Sequence, residues 1–127
     1  MNLREGLKYT ENYLWLKKKE GKVELGIVKP AAEKAKKFLF LELPEKGQKI
    51  EKGESIAEYE AMKRVGELKS PLNGKIAEIN KKAVEKPGKV IEEPYKTWLV
   101  RLKTKKDLEL NKYMHKKEAE KHYRKQV

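Results

Sequence analysis

Residues 56–68 read Ile56-Ala57-Glu58-Tyr59-Glu60-Ala61-Met62-Lys63-Arg64-Val65-Gly66-Glu67-Leu68. Apolar and charged residues alternate up to Glu60, and again from Val65 through Glu67 to Lys69, so two strand-like runs meet near Met62-Lys63-Arg64. Ser70-Pro71-Leu72-Asn73-Gly74 is the next turn signal. A lysine at a hairpin tip keeps its amine in water, where it can be acylated. Spacing alone does not separate such a lysine from a merely solvated one, because the chain holds 32 Lys and Arg.

Outward from this hairpin the chain keeps the same rhythm. Tyr13-Leu14-Trp15-Leu16-Lys17 is β-prone, Glu20-Gly21-Lys22 is a hairpin turn, and Val23, Leu25 and Ile27 alternate with Glu24 and Gly26 as a half-buried strand. Pro30 suits the first position of a short helix running to about Lys37, with Ala31, Ala32 and Ala35 inward. Phe38 to Leu43 reads as a buried strand stopped by Pro44. Two similar turns, Glu45-Lys46-Gly47-Gln48 and Glu51-Lys52-Gly53-Glu54, flank Lys49-Ile50. Gly74 to Ile79 alternates again, Lys86-Pro87-Gly88 is a turn, and Tyr95 to Leu102 reads as a last strand carrying Trp98, Val100 and Leu102. Many short strands with Gly and Pro turns predict a mostly β, closed or sandwich domain. The tail changes period: Leu108, Leu110, Met114, Ala119 and Tyr123 predict a C-terminal helix over about 107–124.

At 127 residues the expectation is one domain over 1–127 with a modest core. Cysteine is absent, which removes disulfides and any Cys nucleophile or Cys metal ligand. Met1 to Gly6 contains no apolar core of a secretory signal, and Phe38-Leu39-Phe40-Leu41 is too short to span a bilayer, so a cytoplasmic protein without a membrane partner is expected. The net charge of +12 invites a nucleic-acid reading. Against it, only Arg4, Arg64, Arg101 and Arg124 are arginines, and the lysines are interleaved with glutamates along the whole chain. Lys and Glu enrichment is also a thermophile-like composition. The positive excess would steer an acidic protein partner.

Catalytic chemistry finds no foothold. Ser55 and Ser70 have no identifiable base, no Gly-rich phosphate loop is present, and His115 and His122 lack further ligands at metal spacing. The residues alone predict a β carrier or binding module, with no catalytic and no metal residues.

A run of spaced motifs then resembles a known family. Tyr9-Thr10-Glu11-Asn12 with Trp15, Gly26-Ile27, Phe40-Leu41-Glu42-Leu43-Pro44-Glu45-Lys46-Gly47, Glu60-Ala61-Met62-Lys63, Ser70-Pro71-Leu72-Asn73-Gly74, Ile79-Asn80, Glu93-Pro94-Tyr95 and Trp98-Leu99 are similar, in order, to the H-protein of the glycine cleavage system. The resemblance implies a barrel-sandwich hybrid, of the lipoyl and biotinyl kind, with a short helix after the second strand region and a helix at the C-terminus. It implies lipoate attached covalently to Lys63, recognition by a lipoate ligase or lipoyltransferase through Glu60 and Gly74, and Asn12, Leu14 and Glu67 around the arm. A lipoyl amide on lysine gives a reach on the order of 14 Å at normal bond lengths. It also gives a cysteine-free chain its thiol chemistry. The implied role is not an enzyme's. It is a monomeric shuttle for an aminomethyl group between glycine decarboxylase, aminomethyltransferase and dihydrolipoyl dehydrogenase.

The chain also departs from the family pattern. A His-Glu pair usual before the Trp is here Tyr13-Leu14, so the carboxylate that would face the charged cargo is missing, while Glu67 stands where the family commonly has Asp. Lys29-Pro30-Ala31-Ala32 replaces an Asp-Tyr-Ala-Gln-like stretch. Such changes also fit an H-protein-like lipoate-binding protein that carries sulfur intermediates for a heterodisulfide-reductase-like complex. A biotin carrier is a weaker match, since Arg64 replaces the second methionine of the Ala-Met-Lys-Met signature. Nucleic-acid binding is weaker still.

Overall fold

The structure, a computed structural model, describes residues 2–105 and 108–125. Among the described residues nine strands form two antiparallel sheets. The larger has the order β1 (Lys8–Tyr9), β2 (Leu14–Lys19), β3 (Lys22–Ile27), β9 (Val100–Lys103), β8 (Gly74–Ile79), β5 (Lys49–Ile50); the smaller runs β4 (Phe38–Glu42), β6 (Ser55–Ala61), β7 (Val65–Lys69). Short helices α1 (Lys29–Ala35), α2 (Lys81–Glu85) and α3 (Gly88–Glu92) cover the open side, and α4 (Lys116–Lys125) closes the chain. This is the mostly β sandwich that the alternation predicts.

Two apolar clusters hold it together. The main one joins both sheets through Leu14, Leu16, Val23, Leu25, Ile27, Leu41, Ile56, Ile76, Val100 and Leu102. Burial of this kind is the dominant favourable term in folding. The second lies on the other side of β2, where Leu3, Tyr9, Trp15 and Val28 meet Ala119 and Tyr123 of α4. The first half of β2, Leu14 to Leu16, is therefore buried on both faces, which explains Gly26. It stands opposite Trp15, and a Cβ there would overlap the Trp15 indole. The indole N–H donates to the Pro94 carbonyl at 3.0 Å.

The alternating segments fold as read, and several other expectations are corrected. Helix α1 starts at Lys29, with Pro30 at its second position, where a missing N–H costs nothing. In β4 only Phe38 and Leu41 are buried; a bulge between Phe38 and Phe40 turns Leu39 and Phe40 outward. Glu24 is buried rather than solvated, at 7 % exposure, because it faces Arg101 across β3 and β9. Residues 95–99 are not strand; β9 begins at Val100, after a turn in which Lys96 and Thr97 N–H groups bond the Glu93 carbonyl. Helices α2 and α3 are not predicted by the sequence pattern. The C-terminal helix begins at Lys116, not near Asp107, which lies outside the described residues. Leu108 and Leu110 pack on the main core without helix, and Met114 bridges to Tyr9 in β fashion. Among the described residues no helix is long and apolar enough to cross a membrane.

Candidate functional site

Strands β6 and β7 form the expected hairpin. Glu60 pairs with Val65, and the Ala61 N–H donates to the Arg64 carbonyl at 2.8 Å, closing a turn over Met62 and Lys63. Met62, Lys63, Arg64 and Val65 are all exposed. Among the described residues Lys63 takes part in no ion pair or side-chain hydrogen bond, so nothing folded into the body holds its amine.

Beside the hairpin opens a cleft of about 500 Å3. Arg64, Glu67 and Lys69 line it from the hairpin's second limb, Tyr59 and Ala61 from the first, Phe38 from β4, and Ala31 and Ala35 from α1. Ala31 and Ala35 lie four apart and so share one helix face, whose small side chains leave the space open. Gly66 has a matching cause. It pairs with Tyr59, and a Cβ there would come within 2.6 Å of the Tyr59 hydroxyl oxygen, so glycine lets the ring cross β7. Phe38 meets Tyr59 edge-on at 5.3 Å.

The far wall is Asn12, in a tight corner at 10–13. The Leu14 N–H donates to Thr10 Oγ1 at 3.2 Å, and the Thr10 carbonyl accepts from the Tyr123 hydroxyl of α4 at 2.6 Å. Tyr13, at φ 67°, stacks on Tyr123 with ring centroids 4.6 Å apart. The C-terminal helix thus fixes the corner that carries Asn12. Burial pushes the Tyr123 hydroxyl pKa well above its ordinary value. A second cavity, about 370 Å3, shares Asn12 and Lys69 with the cleft and is bordered by Lys52, Lys112 and Tyr113.

The structure brings together some of the residues singled out by sequence and separates others. Asn12 and Glu67 line the cleft, and Glu60 sits next to the hairpin tip on the outward face. Leu14 does not line it. Leu14 is buried in the main core opposite Ile27, whose side takes part in the cleft floor. Gly74 lies in the larger sheet opposite Ile50, where a Cβ would stand 2.9 Å from the Lys103 carbonyl oxygen. Close backbone approach therefore requires a glycine there irrespective of any partner. His115 and His122 do not converge: His115 pairs with Glu118 at the start of α4, and His122 lies edge-on to Tyr123. Among the described residues no three His, Asp or Glu side chains are placed to hold a metal. Sequence reasoning missed Arg64, Lys69, Tyr59 and the alanines as cleft walls; only the Ala31–Ala35 spacing carried a signal.

The family model described as glycine cleavage H-protein matches residues 7–126. The chain is 36% identical over 104 residues to a "probable glycine cleavage system H protein" of Pyrococcus furiosus, covering 81% of this chain and 78% of that one. It is 38% identical over 100 residues to a "glycine cleavage system H protein" of Halalkalibacterium halodurans, covering 78% of each. Among solved structures it is similar to a glycine cleavage system H protein from Mycobacterium marinum, with a TM-score of 0.81, 27% identity and 98% of both chains covered. A match along nearly all its length, with relatives well above 30% identity, settles the matter: the chain belongs to the glycine cleavage H-protein family.

Proposed function

We propose that Lys63 carries a lipoyl group in amide linkage and that the whole chain acts as one carrier unit, the shuttle protein of the glycine cleavage system. The observation that carries this reading is the exposed, unpartnered Lys63 at a hairpin tip beside an open cleft, in a chain of this family. The cleft fits the group: Ala31, Ala35 and Phe38 offer an apolar wall for a hydrocarbon arm, and Asn12 and Glu67 offer polar atoms at its rim. When bound, the group supplies a redox-active dithiolane that takes up and releases the cargo, an aminomethyl group in the family.

This chain's own residues do the holding. The hairpin keeps the Lys63 amine clear of the body, and the α1 face keeps the cleft open. The Tyr123–Thr10 bond fixes the wall that carries Asn12. Chemistry is left to partners: a lipoate ligase or lipoyltransferase that loads Lys63, then glycine decarboxylase, aminomethyltransferase and dihydrolipoyl dehydrogenase. The chain serves them as a monomeric, cytoplasmic cosubstrate, with Glu60 presented to the loading enzyme and Gly74 acting through backbone packing. In a reconstituted pathway Lys63→Arg abolishes transfer while the far-UV spectrum and melting temperature are unchanged; a fully active Lys63→Arg protein contradicts the reading.

A second reading has one observation in its favour. The cleft rim carries Arg64 and Lys69 against Glu67, and Leu14 is withdrawn into the core, so a cationic cargo meets more like than unlike charge. A sulfur-carrying role with a heterodisulfide-reductase-like complex suits that balance. The lipoylated protein incubated with glycine and the decarboxylase distinguishes the two: aminomethyl loading supports the first, and its absence supports the second.

A further inference from the structure

The outward face of the small sheet breaks two rules at once. Residues directly opposite in an antiparallel pair share a face. Glu42 stands opposite Glu58, and Glu58 opposite Glu67, so three carboxylates form one row across all three strands. The next row is Phe40, Glu60 and Val65. Like charges directly opposite destabilise a sheet. Yet in a chain of net charge +12 no lysine interrupts the row, and among the described residues none of these glutamates forms an ion pair.

The second broken rule is apolar exposure. Among the described residues the large hydrophobic side chains left exposed are Leu39 at 51 %, Phe40 at 52 %, Met62 at 60 %, Val65 at 75 % and Val84 at 39 %. All but Val84 belong to the hairpin tip or to the strand beside it. Clustered exposure of this kind marks an interaction site. A hollow of about 210 Å3 lies farther down the same face, lined by Glu42 and Glu58 with Leu43, Pro44 and Gln48 and by no cation.

We propose that this face is the docking surface for the enzyme that acylates Lys63. That enzyme presents an apolar collar seating Phe40, Met62 and Val65, and arginine or lysine side chains meeting the glutamate row, one of them entering the hollow between Glu42 and Glu58. The inference rests on the reading of Lys63 as an acylated lysine. The loading enzyme is the partner singled out because it works before any arm exists. The bare lysine must enter its active site, so the tip and the sheet beneath must touch that protein directly. Partners of the loaded arm work on its free end, on the order of 14 Å from the backbone. The chemistry is acyl transfer from an adenylate made from lipoate and ATP. The Lys63 amine attacks the acyl carbon, the C–N bond forms as the bond to the phosphate oxygen breaks, AMP leaves, and the amine gives up its protons to solvent.

The test uses a lipoate ligase with lipoate and ATP, reading modification of the full chain by mass. The double variant Glu42→Gln/Glu58→Gln removes both like-charge pairs of the row, so it melts higher than the natural protein while its KM for loading rises roughly tenfold with kcat unchanged. Phe40→Ser/Val65→Ser raises KM by a similar factor, and Lys121→Glu on α4, which packs against β1, leaves it unchanged. Lys63→Arg inhibits loading competitively, and the same protein with Glu42→Lys/Glu58→Lys does not. If the natural protein is loaded at Lys63 and the face variants load equally well, the docking surface is overturned and the lipoyl reading stands. If the natural protein takes no acyl group at Lys63, both fall.

Discussion

The Arg101 guanidinium lies 3.9 Å above the Trp98 ring and donates through Nε to Glu24 Oε2 at 2.9 Å, while Nη1 donates to Glu78 Oε2 at 2.9 Å. Three neighbouring strands are thus joined by one cation on the face of β9. Glu24 is almost fully buried, and Arg101 is the cation paired with it. Breaking a buried pair by removing one member leaves an uncompensated charge. Arg101→Met is expected to cost about 3 kcal/mol in urea unfolding, and Arg101→Met/Glu24→Leu to recover most of it. An Arg101→Met protein as stable as the natural one would contradict this.

Glu78 gives the same network an acid limit. Hydrogen bonds from Lys22 and then from Arg101 hold its carboxyl below the ordinary glutamate value. A depressed folded pKa means stability that is complete above the unfolded value and is lost as pH falls through the folded one. Urea midpoints measured from pH 6 downward should therefore fall below about pH 4.5, and Glu78→Gln should flatten that fall. An unchanged slope in Glu78→Gln would remove Glu78 from the account.

At the alkaline end the tyrosines act with the opposite sign. Burial pushes the Tyr9 hydroxyl up to about 12, although its hydrogen bond with the Arg4 backbone works the other way. Its stability contribution is complete below pH 10, the unfolded value, and is lost as pH rises through the folded one. Thermal melts from pH 9 to 12 should show this loss, and Tyr9→Phe should lessen it.

Leu14 tests the core beneath the cleft. It is buried opposite Ile27, so Leu14→Glu places a carboxylate in the apolar core rather than at the rim. The expected cost is about 3 kcal/mol at neutral pH, partly recovered toward pH 4 as the carboxyl takes up a proton. A neutral-pH stability equal to the natural protein's would mean the side chain reaches solvent.

The hairpin of Lys63, the β2–β3 pair and the turns at Gly47 and Gly53, both at φ 93°, were legible because alternation and glycine are local signals. What stayed hidden depends on pairing across distance. The burial of Glu24 is unreadable without knowing that Arg101 lies opposite. Helices α2 and α3 bury only Ala83 and Val90, too few apolar positions to show a helical period. The exposure of Phe40 follows from a bulge that no pattern in Phe38-Leu39-Phe40-Leu41 announces. Of the site, Asn12, Lys63 and Glu67 could be picked out in advance. The cleft itself could not, since its walls come from five separated segments.

The most direct measurement is the mass of the Lys63 peptide from protein purified out of its native host. The account predicts a lipoyl adduct on Lys63, with the peptides of the other lysines unmodified. An unmodified Lys63, from cells whose other lipoyl proteins are loaded, would contradict it; a biotinyl adduct would place the chain among the carboxylase carriers instead.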